Sequence, residues 1–262
     1  MKRIALGVSY DGAAYHGWQN QDNELPTLQF FVENAVARVA NHPVNIVCAG
    51  RTDARVHATN QVIHFDTDAE RTDYSWVFGA NSNLPHDISV MWAKEVSTEF
   101  HARFSATARR YRYIIYTHKV RPAILRDAVT WNRNELDMGA MQLAATYLLG
   151  KHDFSSFRGS GCQAKSAIRD LQELTIKRYG QLLVIEVLAN AFLLHMVRNL
   201  VGVLLPIGLG THSPDWAKEV LDARNRSAGG VTTAPNGLYL VAISYPQHYD
   251  LPKTSLGPFF LQ

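Results

Sequence analysis

The stretch from Val44 to Phe65 constrains the fold of this chain more than any other. Two apolar runs suited to buried strands, Val44, Ile46, Val47, Cys48 and then Val62, Ile63, Phe65, flank a polar segment. That segment, residues 49–58, reads Ala-Gly-Arg-Thr-Asp-Ala-Arg-Val-His-Ala. It is too long for an ordinary hairpin, whose loops run to about 2–5 residues, and longer loops are usually functional or disordered. Arg51 and Asp53 stand two residues apart, and extended backbone points such a pair to one face. Both can therefore look into one cleft. Spacing alone fits a solvated surface pair equally well, worth about 0–1 kcal/mol.

With 262 residues, 47% hydrophobic and 19% charged, the chain can bury a real core as one large or two small domains. Its net charge of +3 and pI of 8.8 permit nucleic-acid binding without requiring it. Local clusters matter more: Arg109, Arg110 and Arg112, and Lys165 with Arg169. Cys48 and Cys162 belong to no CxxC or Cys/His metal spacing and read as reduced thiols of a cytosolic protein. The N-terminus meets Asp11 too early for a signal peptide and offers no cleavage site. The most apolar stretch, residues 191–209, contains His195, Arg198, Asn199 and Pro206, which are costly in lipid. It reads as a buried helix and not a membrane span.

In chain order, residues 3–10 alternate as a strand with Ile4, Leu6 and Val8 on one face, ended by Asp11-Gly12. Tyr15, His16 and Trp18 follow in a loop, either packed there or free to stack on unpaired bases. Thr27 can cap a helix to about Ala40 whose core stripe is Leu28, Phe31, Val32, Ala35, Val36 and Val39. A helix at 74–81 and a strand at 88–96 come next. The pattern relaxes around residues 98–109, which divides the chain into halves 1–106 and 107–262. A strand from Arg110 to Tyr116 puts Tyr111 on one face with Tyr113 and Ile115, and Arg110 with Arg112 on the other. Helices are predicted over 136–149, 193–207 and 214–223, the last capped by Ser213. A hairpin is predicted over 169–178 and 182–188, and a last strand over 238–245. Strand, helix and further strands open both halves. That order predicts two α+β domains built alike, each a mostly antiparallel sheet with helices on one face.

The string GRTDARVHA resembles GRTDAGVHA, the signature of the tRNA pseudouridine synthase A family. The resemblance extends through YDGAAYHGWQ, HMVRN, GLYLVAISYP and GPFF, and so across essentially the whole chain. It implies two ferredoxin-like halves facing across a basic cleft, in a cytoplasmic homodimer. The implied reaction converts uridine to pseudouridine at positions 38, 39 and 40 of the tRNA anticodon arm. That reaction breaks the C1′–N1 bond, turns the base and rejoins it through C5. No redox change occurs and no group is gained or lost, so no metal, nucleotide or flavin is demanded. A carboxylate must attack C1′ or stabilise positive charge there, and the base must leave its stack.

By resemblance Asp53 is the catalytic residue, and Tyr111 lies over the target base. Arg51 and Arg71 assist base flipping or contact the tRNA. Further tRNA contacts map onto Phe100, His101, Ala102, Arg103 and Phe104, and onto Gly161, Cys162, Gln163, Ala164 and Lys165. Arg198 lies in a helix apolar almost all round, with no carboxylate within a turn. Buried arginine is rare unless paired, and Asp53 is a natural partner that would stay ionised beside it. The alternative is an arginine at the helix rim bonded to backbone carbonyls. His57, His64, His101, His152 and His195 lack the spacings of a metal site and read as structural. Two other classes remain: an RNA-binding protein or chaperone that kept the cleft, and a metal-dependent nuclease or deaminase, whose ligand sets are missing.

Arg55 departs from the family's usual Gly. Since its neighbours match the signature, residue 55 is predicted at ordinary negative φ, with its side chain toward solvent or a phosphate. A positive φ would instead mean strain stored beside Asp53, and would favour the chaperone reading.

Overall fold

The computed structural model describes residues 1–21 and 25–261. The chain is mixed α/β and divides into two compact units, Met1–Arg109 with Tyr239–Gln262, and Arg110–Leu238.

In the first unit β1 (Lys2–Tyr10) runs antiparallel between β3 (His57–Thr67) and β4 (Ile88–Val96). The register sets Ile4 opposite Phe65 and Leu6 opposite Ile63. That face carries the helices: Phe65 meets Trp76 of α2 (Asp73–Asn81) edge-on at 5.2 Å. Beside it packs α1 (Leu28–Ala40). Thr27 stands at the N-cap, yet its hydroxyl donates to Asn20 and accepts no helix N–H.

The predicted one-sided burial of β1 is incomplete, because Ala5 is fully buried as well. A second core covers the other face. It comprises Ala5, Ala49, Val62, Trp92, Phe100 and Ala102, with Tyr245, Tyr249 and Leu251 packed against it. A Cβ on Gly7 would stand 2.0 Å from the Trp92 indole nitrogen, so glycine there makes room for the ring. This core explains why residues 239–262, placed with the second half from sequence, group with the first unit. β10 (Leu238–Ser244) also lies parallel to β3, with Tyr239 opposite His57. The apolar run at 44–48 pairs over only two residues, β2 (Val47–Cys48), against β3.

In the second unit the strand order is β5 (Ala108–Thr117), β9 (Leu182–Ala189), β8 (Ile168–Tyr179), β7 (Gly150–Asp153). The short β6 (Thr130–Asn132) lies parallel to β5. β8 and β9 form the expected hairpin. β6 and β7, three and four residues of mixed polarity, carry no periodic signal. The helices are α3 (Met138–Thr146), α4 (Met196–Gly208) and α5 (Trp216–Ala223). All of α4 is buried except Arg198, Leu205 and Pro206, which are partly so. Among the described residues no helix is long and apolar enough to cross a membrane.

The basic cluster at 109–112 is not a free cationic surface. Arg110 donates to Glu173 at 2.6 Å and also pairs with Glu186. Arg112 donates to Glu186 at 2.6 Å. These carboxylates stand on β8 and β9, whereas both arginines project from β5.

Candidate active site

The segment after β2 is locked by a residue that sequence reading missed. Gln61 of β3 is fully buried. Its amide nitrogen donates to the Gly50 carbonyl, and its amide oxygen accepts the Gly50 N–H at 3.2 Å. Both backbone groups of Gly50 are thereby satisfied. Arg109 secures the same place, donating to the Ala49 carbonyl at 3.1 Å and to the Arg103 carbonyl at 2.6 Å. A polar amide beside Val62-Ile63 in a strand was the available signal, since a buried amide must find partners.

Beyond Gly50 the chain alternates as extended backbone should. Arg51 is exposed, Thr52 buried, and Asp53 half-buried. Thr52 faces inward, its hydroxyl 2.8 Å from that of Tyr10. Its carbonyl accepts the Trp18 N–H at 3.0 Å. A turn follows, closed by Val56 N–H donating to the Asp53 carbonyl at 3.2 Å.

Arg55 sits at the third position of that turn with φ 65°, while Ala54 is not among the positive-φ residues. That is the pattern of a type II turn, whose third residue needs positive φ and is usually glycine. The prediction of ordinary negative φ is therefore corrected, and the observed φ is the outcome that the sequence reading ties to strain beside Asp53 and to the chaperone alternative. The Arg55 N–H donates to the Tyr15 carbonyl at 3.1 Å, and its side chain is exposed.

The loop after β1 grips the segment from behind. A Cβ on Gly12 would lie 2.0 Å from the Val56 carbonyl oxygen. Gly17, at φ 91°, has no room for one beside Thr52 and Ala54. The rings of Tyr15 and Trp18 are buried, so the packing alternative holds for them and base stacking does not. The Tyr15 hydroxyl donates to Asp87 at 2.6 Å, and burial pushes the phenol's pKa up.

His57 is also buried, stacked 4.6 Å from the Tyr239 ring. Its Nδ1 accepts the Gly12 N–H at 3.1 Å and lies 3.0 Å from Asp11. A bare Nδ1 suits the first contact and a protonated one the second. The hydrogen bond to His57 holds the Asp11 carboxyl below its ordinary pKa.

The segment 100–104 alternates as well. Phe100 and Ala102 are fully buried; His101, Arg103 and Phe104 turn outward. Phe100 packs on Tyr245 and Tyr249, each at 5.1 Å. Its side chain is core, not surface. His101 stacks on Phe104 at 4.3 Å, and the Arg103 guanidinium lies 5.6 Å from the same ring. Arg71 is exposed and donates to the Val39 carbonyl at the end of α1 at 3.0 Å.

In the second unit Tyr111 is buried on β5, edge-on to Phe192 at 5.0 Å. Arg198 is half-buried and donates to the Thr233 carbonyl at 2.7 Å. Gly161, Gln163 and Lys165 are exposed; Cys162 and Ala164 are half-buried. Their loop is held by Arg158, which donates to the carbonyls of Cys162 at 2.6 Å and Ala164 at 2.8 Å. No sequence signal marked Arg158. Burial raises the Cys162 thiol, but N–H groups of Leu194 and Ala164 and the Arg158 guanidinium outweigh it and hold the pKa low.

The first unit thus presents the half-buried Asp53 on a loop whose backbone is tied at several points and which carries exposed Arg51 and Arg55. The family model for tRNA pseudouridine synthase matches residues 7–105 and 144–246. The chain belongs to that family. It is 61% identical to the tRNA pseudouridine synthase A of Coxiella burnetii (strain RSA 331 / Henzerling II), over all of both chains. It is 54% identical to the protein of that name from Pseudomonas aeruginosa, covering all of this chain and 92% of that one. Among solved structures, an archaeal box H/ACA sRNP Nop10-Cbf5 complex superposes over 85% of this chain and 68% of that chain. Its TM-score is 0.35 at 8% identity, too loose to bear on function.

Proposed function

We propose that this chain isomerises uridine to pseudouridine at positions 38, 39 and 40 of the tRNA anticodon arm, acting as a homodimer in the cytoplasm. The observation that carries the chemistry is the placement of Asp53. Its carboxylate is half-buried, on a segment fixed by Gln61 at one end and by the closed turn at the other. The carboxylate supplies negative charge at C1′ while the bond to N1 breaks. The freed base turns and C5 bonds to C1′; C5 then gives up its proton and N1 ends carrying one, so the product is an isomer of the substrate.

Tyr111 is the proposed contact to the base, and Arg198 the proposed electrostatic support of Asp53. Arg51 and Arg71 are proposed to meet the tRNA near the flipped nucleotide. The exposed side chains His101, Arg103 and Phe104 form a cationic and aromatic surface fit for RNA. Phe100 and Ala102 shape that surface from inside. Gly161, Cys162, Gln163, Ala164 and Lys165 are the proposed contacts of the second unit, with Lys165 the phosphate partner.

The test is a single-turnover assay on unmodified tRNA with a chelator present. Pseudouridine should form. Binding without product would indicate an RNA chaperone, and loss of product on chelation a metal-dependent enzyme. Arg103→Ala and Lys165→Ala should each flatten the salt dependence of binding by roughly one log–log unit or less.

A further inference from the structure

Six non-glycine residues among those described have positive φ, and Arg55 is the one beside Asp53. Its backbone conformation is over-determined. The turn is closed by Val56 N–H on the Asp53 carbonyl, and the Arg55 N–H is engaged by Tyr15, itself anchored to Asp87. No rearrangement of residue 55 alone relaxes it. Glycine adopts this conformation without the Cβ penalty, so an arginine is held here against a local preference. Strain of this kind persists where the side chain has a use. The Arg55 side chain is exposed. Arg51, also exposed, stands two residues before Asp53, and Arg55 two residues after it.

We infer that Arg55 is a substrate-binding residue that contacts an RNA backbone phosphate next to the reacting nucleotide, complementing Arg51 on the other side of Asp53. The inference rests on the tRNA reading above. Arg55 offers what a phosphodiester needs, a permanent positive charge on a long side chain. The gain in tRNA affinity offsets the strained turn.

Three variants test it, each measured for melting temperature and for tRNA binding across a salt series. Arg55→Gly should melt about 2–4 °C higher than wild type as the strain is relieved. It should bind tRNA roughly 3- to 10-fold more weakly at low salt, with a log–log slope flatter by about one unit or less. Arg55→Gln should lose affinity similarly without the gain in melting temperature. Arg55→Lys should recover most of the affinity. If Arg55→Gly keeps wild-type affinity and slope, or if Arg55→Lys binds as weakly as Arg55→Gly, the phosphate contact is wrong. If Arg55→Gly melts no higher than wild type, the strain is wrong. Wild-type protein that fails to bind tRNA would remove the reading of the whole chain, whereas wild-type binding with an indifferent Arg55→Gly removes Arg55 alone.

Discussion

The loop around Asp53 and the loop around Lys165 are held by different means. The first is clamped from several independent directions: Gln61 and Arg109 at its base, Trp18 at Thr52, and Tyr15 at Arg55. Two glycines let the neighbouring chain lie against it. The second is held by Arg158, which bonds two of its carbonyls, and by weaker ties: Gly159 to the Leu194 carbonyl at 2.8 Å and the Leu194 N–H to the Cys162 sulfur at 3.5 Å. The difference fits the roles proposed for the two loops. A carboxylate that acts at one carbon needs fixed geometry, and a small misplacement costs a large factor in rate. A phosphate contact works over a range of approaches, because attraction to a charged backbone is not strongly directional.

The clamped loop should fail abruptly when its packing is violated. Gly12→Ala puts a methyl group into the Val56 carbonyl, which is backbone and cannot swing aside. Stability should fall by about 3 kcal/mol or more and activity should drop by orders of magnitude, read by denaturant melts and single-turnover rates. A variant with near-normal rate would show that the loop tolerates displacement, and the contrast would collapse.

The loop around Lys165 should fail gently. Arg158→Ala strips a charged donor from two carbonyls, a loss of about 1–3 kcal/mol at most. The Kd for tRNA should rise roughly tenfold, while the single-turnover rate at saturating tRNA falls much less. An equal loss in both would mean that this loop also positions the chemistry.

The segment 100–104 is an intermediate case, because it rests on a titratable group. His64 is buried, and its Nδ1 accepts the Ala102 N–H at 3.1 Å. Burial, with Arg3 and His101 nearby, lowers its pKa to about 4. Between the unfolded value of 6.5 and about 4, the unfolded chain takes up a proton that the folded chain refuses. This contribution is complete above the unfolded value and is lost as pH falls toward 4. At pH 5 the loss should be about 1–2 kcal/mol, and His64→Gln should lessen the pH slope in urea melts. An unchanged slope would detach that segment from His64.

Legibility was uneven for physical reasons. Long periodic elements such as β1, α1 and the β8–β9 hairpin were readable because burial on one side imposes a period. Their partners were not. The second buried face of β1 depends on Trp92 filling the space above Gly7 and on the C-terminal segment folding back, contacts remote in sequence. Asp53 was legible from its signature string, and its partial exposure between buried Thr52 and exposed Ala54 fits an accessible carboxylate. What holds it was not legible, because Gln61, Gly12 and Gly17 act through backbone contacts that no local pattern reports. The basic run at 109–112 misled for the opposite reason: its charges are local, but the carboxylates that neutralise Arg110 and Arg112 lie more than sixty positions away.

The most direct test of the account is Asp53→Asn, which keeps the shape of the side chain and removes its charge. The variant and wild type should be compared for tRNA affinity and for single-turnover pseudouridine formation at saturating tRNA. Affinity should stay within about threefold, since phosphate contacts dominate it, and product formation should vanish. A variant that retains a rate within tenfold of wild type would contradict the claim that this loop exists to hold the Asp53 carboxylate against the reacting nucleotide.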